Sequence, residues 1–135
     1  DDSAQWSLQI LGRPVLGSID TAVLAGSALI CGVGGPALKA RFVARAEARG
    51  STHFASLVAP GAHVGLENVV GAGTVLCTGA VITTHVNVGR HVTVNLNCTI
   101  GHDAVVGDFC TLAPGVHLSG NSQLGAGTEL GTGAV

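Results

Sequence analysis

The sequence predicts a mainly β chain: a parallel β-helix of six-residue repeats, preceded by part of a small α/β unit. Three observations carry this reading. From Val58 to Leu130 an aliphatic residue falls at every sixth position, thirteen times in thirteen without insertion. The residue after each is small or polar, and Gly in seven of the thirteen. Aromatic residues are nearly absent, with one Trp, three Phe and no Tyr among 135 residues. A core therefore has to be filled by Val, Leu, Ile, Ala and Cys, which suits narrow repetitive packing.

A period of six matches neither the 3.6 of a helix nor the alternation of a half-solvated strand. It matches a coil of short strands, each turning a corner on Gly or another small residue where bulk would clash. Three hexads close a triangular coil of about eighteen residues, and coils stack at the strand spacing of about 4.8 Å. A second set of small or β-branched residues, including Thr74, Val92, Cys98, Cys110, Ser122 and Thr128, recurs four places after the aliphatics.

Residues 1–57 lack the repeat and read as a partial α/β domain; residues 58–135 form the β-helix. Ala28-Leu29-Ile30-Cys31-Gly32-Val33 reads as a short buried strand, and Gly34-Gly35 as a turn. Pro36 suits the first position of a helix that runs through Leu38, Phe42, Val43 and Ala46 until Gly50 stops it. Phe54 to Val58 is a second strand, feeding the first coil. Arg41, Arg45 and Arg49 form one stripe of the helix, read as a solvated face in preference to a phosphate site. The glycine turn alone is weak evidence for a nucleotide.

A formal charge of −2 gives no electrostatic reason to expect nucleic acid or an anionic membrane as partner. No apolar run approaches the roughly 18–20 residues of a membrane span, and no signal peptide is visible, so a cytoplasmic protein is expected. Cys31, Cys77, Cys98 and Cys110 have no CxxC or zinc-finger spacing and read as reduced thiols. The chain contains no Met, opens on Asp1-Asp2 and ends on Val135 within the repeat. Both ends therefore read as cut.

The hexad pattern resembles the hexapeptide-repeat left-handed β-helix, an exception to the usual right-handed crossover. With the first 57 residues included, the chain resembles the sialic acid O-acetyltransferase and UDP-4-amino-sugar N-acetyltransferase family. Its members join a small Rossmann-like sugar-nucleotide domain to such a β-helix. The resemblance runs through Gly12-Arg13-Pro14-Val15-Leu16-Gly17 and Phe54-Ala55-Ser56-Leu57-Val58-Ala59-Pro60. Its most specific stretch is Asn95-Leu96-Asn97-Cys98-Thr99-Ile100-Gly101-His102-Asp103, followed by Gly107-Asp108-Phe109, Pro114-Gly115 and Ser119-Gly120-Asn121. It implies His102 as catalytic base with Asp103 as its acidic neighbour. It also implies Asn95, Asp1 and Asp2 at the substrate, and a backbone contact from Gly120 to the acyl thioester. Acetyl-CoA as co-substrate, a sugar nucleotide or sialic acid as acceptor, and a homotrimer with sites between subunits follow from the same resemblance. Some relatives carry a histidine where this chain has Thr111.

Position supports part of this assignment. His102 falls in a turn, two places after Ile100, and Gly120 lies eighteen residues on, one coil away in the same column, with Thr84 on the other side. A base beside a backbone N–H is what thioester aminolysis requires, and Asp103 can fix the imidazole tautomer. By the same arithmetic His85 is expected beside Asp103. His53, His63, His91 and His117 read as structural or surface residues. No metal is expected: His63 and His117 are three coils apart, and His85 and His91 occupy different faces. Two functional classes follow, an acetyl-CoA-dependent sugar N- or O-acetyltransferase and a non-catalytic trimeric scaffold. A scaffold has no need of the His102–Asp103 pair.

Overall fold

The computed structural model describes residues 9–22, 24 and 26–135. Thirteen two-residue strands follow one another at six-residue intervals and stack as three parallel faces of a prism. The first face holds β3 (Leu57–Val58), β6 (Val75–Leu76), β9 (Thr93–Val94), β12 (Thr111–Leu112) and β15 (Glu129–Leu130). The second holds β4 (His63–Val64), β7 (Val81–Ile82), β10 (Thr99–Ile100) and β13 (His117–Leu118). The third holds β5 (Val69–Val70), β8 (Asn87–Val88), β11 (Val105–Val106) and β14 (Gln123–Leu124). Pairing is parallel with partners eighteen residues apart, as in Thr99 against Val81 and His117. This is the left-handed parallel β-helix that the repeat implied.

The second residue of each strand points inward. Ile82, Val94, Ile100 and Leu112 are fully buried, each contributing about 1.5–3 kcal/mol of apolar burial. The set four places on completes the filling, with Val92, Cys98, Ala104, Cys110 and Val116 also at 0% exposure. Thr74 belongs to it because its hydroxyl is satisfied internally, donating to Gly89 O at 3.0 Å and accepting from Val92 N at 3.1 Å. Cys98 and Cys110 are free and buried, their thiols donating to Ala113 O and Gly125 O at 3.1 Å. Burial raises the Cys98 pKa and keeps the thiol protonated.

The corners differ from the sequence expectation. The residue in left-handed conformation is not the small one after the aliphatic but the one two places further on, and it recurs at all thirteen corners from Gly61 to Gly133. Seven of these are not glycine: Glu67, His85, His91, Asn97, Asp103, Phe109 and Asn121. Five of the seven glycines after the aliphatics, from Gly65 to Gly107, serve coil-to-coil approach instead. A Cβ on Gly71 would lie 2.5 Å from Gly89 C, and one on Gly107 the same distance from Ala126 N.

Ahead of the prism, β1 (Gln9–Ile10) and β2 (Arg13–Pro14) form an antiparallel hairpin across Leu11-Gly12, both with positive φ as a two-residue turn requires. The helix α1 (Pro36–Ala48) starts on Pro and is followed by Gly50 at φ 85°, close to the expected limits. The expected strand at Ala28–Val33 is reduced to one parallel bridge, Leu29 against Phe54. Leu29 is half-buried and Ile30 exposed, because among the described residues no second strand lies beside them. Arg45 is held by Asp20, and Arg49 donates to Asp20 O and Ala22 O. Those two arginines therefore secure the preceding loop to α1.

The packing of α1 on the prism centres on Lys39, which is 1% exposed. Its Nζ reaches the first face and shares its three protons among His91 O (3.0 Å), Thr93 Oγ1 (2.9 Å), Cys110 O (3.2 Å) and Thr111 Oγ1 (3.0 Å). The Thr111 hydroxyl donates in turn to Gly34 O at 2.6 Å, tying the turn before α1 to the same strand. Beside it His91 is also 1% exposed, stacked on Phe109 at 5.1 Å and edge-on to Phe54 at 4.7 Å. His91 is thus a buried junction residue, while His53, His63 and His117 are exposed.

Candidate active site

The corner between β10 and β11 is Gly101-His102-Asp103. Asp103 takes the left-handed conformation at φ 57° and its N–H donates to Thr84 O in the preceding coil at 3.2 Å. On the other side Asn121 N donates to His102 O at 2.8 Å. The corner is therefore fixed by one backbone bond to each neighbouring coil, and its two side chains are free to project. His102 Nδ1 and Asp103 Oδ2 lie 2.8 Å apart. His102 and Asp103 are 61% and 54% exposed. With the carboxylate accepting Nδ1–H, the lone pair falls on Nε2.

Gly120 lies one coil on, over the imidazole. A Cβ built there would stand 2.7 Å from His102 Nε2 and 2.9 Å from Cε1. The Gly120 N–H has no hydrogen-bond acceptor among the described residues. Gly101 lets the coils approach at this point, because a Cβ there would collide with Gly120 N. A base lone pair and a free backbone donor are thus carried side by side on adjacent coils.

Other expected residues fall elsewhere. Asn95 is half-buried at the neighbouring corner of the same coil, its Oδ1 accepting Leu96 N at 3.1 Å. No hydrogen bond joins it to His102 within the described residues. Asp1 and Asp2 lie outside the described residues. His85 occupies the expected column, yet it does not pair with Asp103. Its Nδ1 lies 3.1 Å from Thr84 Oγ1, which also donates to Leu66 O. The eighteen-residue arithmetic gives the corner correctly but not the rotamer, and here a neighbouring hydroxyl captures the ring. The part of Thr84 in holding the Asp103 backbone was not foreseen, though the same arithmetic identifies it. Among the described residues no group of three or more His, Cys, Asp or Glu could hold a metal ion. Nor is any helix there long and apolar enough to cross a membrane.

No protein-family model matches this sequence, and no curated protein matches it by sequence. Solved structures do match. WeeI from Acinetobacter baumannii AYE superposes with a TM-score of 0.90 and 27% identity, over 100% of this chain and 64% of that one. The acetyltransferase domain of PglB from Neisseria gonorrhoeae FA1090 gives 0.85 and 29%, over 98% of this chain and 65% of that one. This chain is a structural relative of an acetyltransferase domain. The PglB acetyltransferase domain has also been solved in complex with acetyl coenzyme A, and it matches in that form with a TM-score of 0.84. A mutant of perosamine N-acetyltransferase from Caulobacter crescentus, in complex with CoA and GDP-perosamine, shares the acetyltransferase fold at 0.81 and 23% identity, over 95% of this chain and 71% of that one. The chain spans less than two thirds of the length of WeeI and of the PglB domain.

Proposed function

We propose that this chain is the chemical centre of an acetyltransferase that moves an acetyl group from acetyl-CoA to the amine of a nucleotide-linked amino sugar. The observation that carries the reading is the His102–Asp103 pair at 2.8 Å, exposed and set against Gly120. The amine lone pair attacks the thioester carbonyl carbon while His102 Nε2 takes the amine proton. The Gly120 N–H stabilises the oxyanion. Collapse breaks the C–S bond, and coenzyme A leaves as a thiol with the proton returned by the imidazolium. Asp103 holds Nδ1–H and stabilises the charged ring. The acetyltransferase likeness and the PglB domain's complex with acetyl coenzyme A support the donor.

In this reading residues 1–57 are part of the sugar-nucleotide-binding domain, and residues 58–135 the acyltransferase domain of a cytoplasmic homotrimer. Asn95, Asp1 and Asp2 serve the acceptor. The third prism face supports the trimer: it presents Val69, Asn87, Val105 and Gln123 with no charged side chain, and Val69 is 61% exposed. A non-catalytic scaffold accounts for the flat faces but not for the pair. The test is thiol release from acetyl-CoA by the full-length protein with UDP-linked 4-amino sugars, and with sialic acid as the hydroxyl acceptor. Turnover with the amine alone is expected. Turnover with the hydroxyl alone reassigns the acceptor, and none with either removes the proposal.

A further inference from the structure

We infer that Gly120 positions His102, through the side chain that it lacks. Two independent observations require a reason for glycine at this place. Its backbone does not need one, since Gly120 is not among the residues of positive φ. Its column does not need one either, because Leu66, Thr84 and His102 occupy the equivalent places in the preceding coils. What a side chain would meet is the imidazole: Nε2 at 2.7 Å, Cε1 at 2.9 Å and Cδ2 at 3.0 Å from a Cβ.

The three atoms are Nε2 and its two ring neighbours, and the nearest is the nitrogen that Asp103 does not hold. The ring is 61% exposed, so packing does not immobilise it. A single hydrogen bond to Asp103 sets one edge, and the bare backbone of Gly120 leaves the space that the other edge occupies. The backbone of Gly120 cannot retreat towards the preceding coil, because Gly101 already lies against it; a Cβ on Gly101 would stand 2.8 Å from Gly120 Cα. A methyl at position 120 therefore drives the imidazole off its rotamer and away from Asp103. This role rests on the acetyltransferase reading only for its kinetic consequence; the geometry of the ring stands without it.

The experiment uses Gly120→Ala, His102→Ala and the double variant in the full-length protein. The first readout needs no substrate: long-range ¹H–¹⁵N spectra of the imidazoles, with the His102 signals identified by their loss in His102→Ala. The parent protein should show His102 as a single tautomer protonated at Nδ1, and Gly120→Ala should show a mixture. The second readout is thermal unfolding. Gly120→Ala should melt below the parent, whereas the double variant should melt with His102→Ala, since the clash has no partner once the ring is gone. The third is kinetic: kcat should fall tenfold or more in Gly120→Ala, with no further fall when the same change is made in His102→Ala. Unchanged tautomer signals in Gly120→Ala would overturn the proposal. So would a double variant that melts well below His102→Ala, or a rate loss that persists without the ring. Absence of acetyl transfer in the parent would instead sink the proposed function and leave the first two readouts standing.

Discussion

His102 contributes nothing to the aliphatic filling of the prism, and its backbone contacts do not involve its side chain. His102→Ala should therefore leave stability within about 0.5 kcal/mol, while kcat falls about 10²–10⁴-fold as expected for loss of a general base. Asp103→Asn should fall less, because the ring keeps a partner of the same shape. Near-normal turnover in His102→Ala would assign the proton to another group. The residue scale is also where the sequence was least legible. The position of His102 beside Gly120 followed from counting eighteen, but the rotamer of His85 did not, because a hydroxyl one residue away decides it. The sequence reading left His91 open between a structural and a surface residue, and the structure makes it structural. Counting eighteen stacks it on Phe109, whereas Gly73 and Gly127 fill the same column on either side; two adjacent bulky rings in a column of glycines were the signal. The ring that closes the cluster, Phe54, comes from outside the repeat.

Between residue and molecule stands the docking of α1. A helix with Leu38 and Phe42 reads as apolar at those positions, yet it buries Pro36, Lys39, Val43 and Ala46. Lysine reads as solvated in sequence, and its four acceptors lie 52 to 72 residues away. No local pattern encodes that. Losing even one charge-assisted hydrogen bond of this kind costs about 1.5–3 kcal/mol, so Lys39→Met should lower stability by at least that much. Adding Thr93→Val should recover part of the loss, since removing both partners is milder than orphaning one. Denaturant unfolding checks both, and a Lys39→Met protein as stable as the parent would show that the contact is idle.

The same junction makes a pH prediction. His91 has neither ring nitrogen hydrogen-bonded, and burial lowers its pKa from the ordinary 6.5, with Arg90 pushing the same way. The unfolded chain then takes up a proton before the folded one does. Stability is complete above about 6.5 and falls as pH drops from there towards the lowered value. The melting temperature should decline from pH 7 to pH 5 in the parent, and less in His91→Phe, which keeps the aromatic stack and cannot be charged. Parallel curves for the two proteins would assign the acid sensitivity elsewhere.

At the scale of the molecule the period of six carried almost everything. Three faces, their strand register and the inward residues follow from one spacing, because each hexad is one strand and one corner. The strand expected at Ala28–Val33 fails for want of neighbours, which the hexads supply to one another by repetition. The assembly also belongs to this scale. Light scattering of the full-length protein should give a trimer, and Val69→Asp with Val105→Asp should convert it to a monomer by charging the uncharged third face. A trimer that survives both substitutions would place the interface on another face.

The unbroken run of hexads also limits how the length of this chain can change. Removing one residue within the prism moves every later inward side chain out of its column. Removing six restores the inward pattern but turns everything downstream by one face, so that Thr93 and Thr111 no longer meet Lys39. Removing eighteen, one whole coil such as residues 67–84, restores the inward pattern and the faces but shifts the rest along the axis by about 4.8 Å, so that Thr111 and Glu129 take the places of Thr93 and Thr111 beside Lys39. Tolerance to deletion is therefore quantised: one residue should abolish folding, six should close a prism that has lost its docked helix, and eighteen should give a shorter protein with the same corner chemistry. For this fold, insertions and deletions compatible with function come in whole turns.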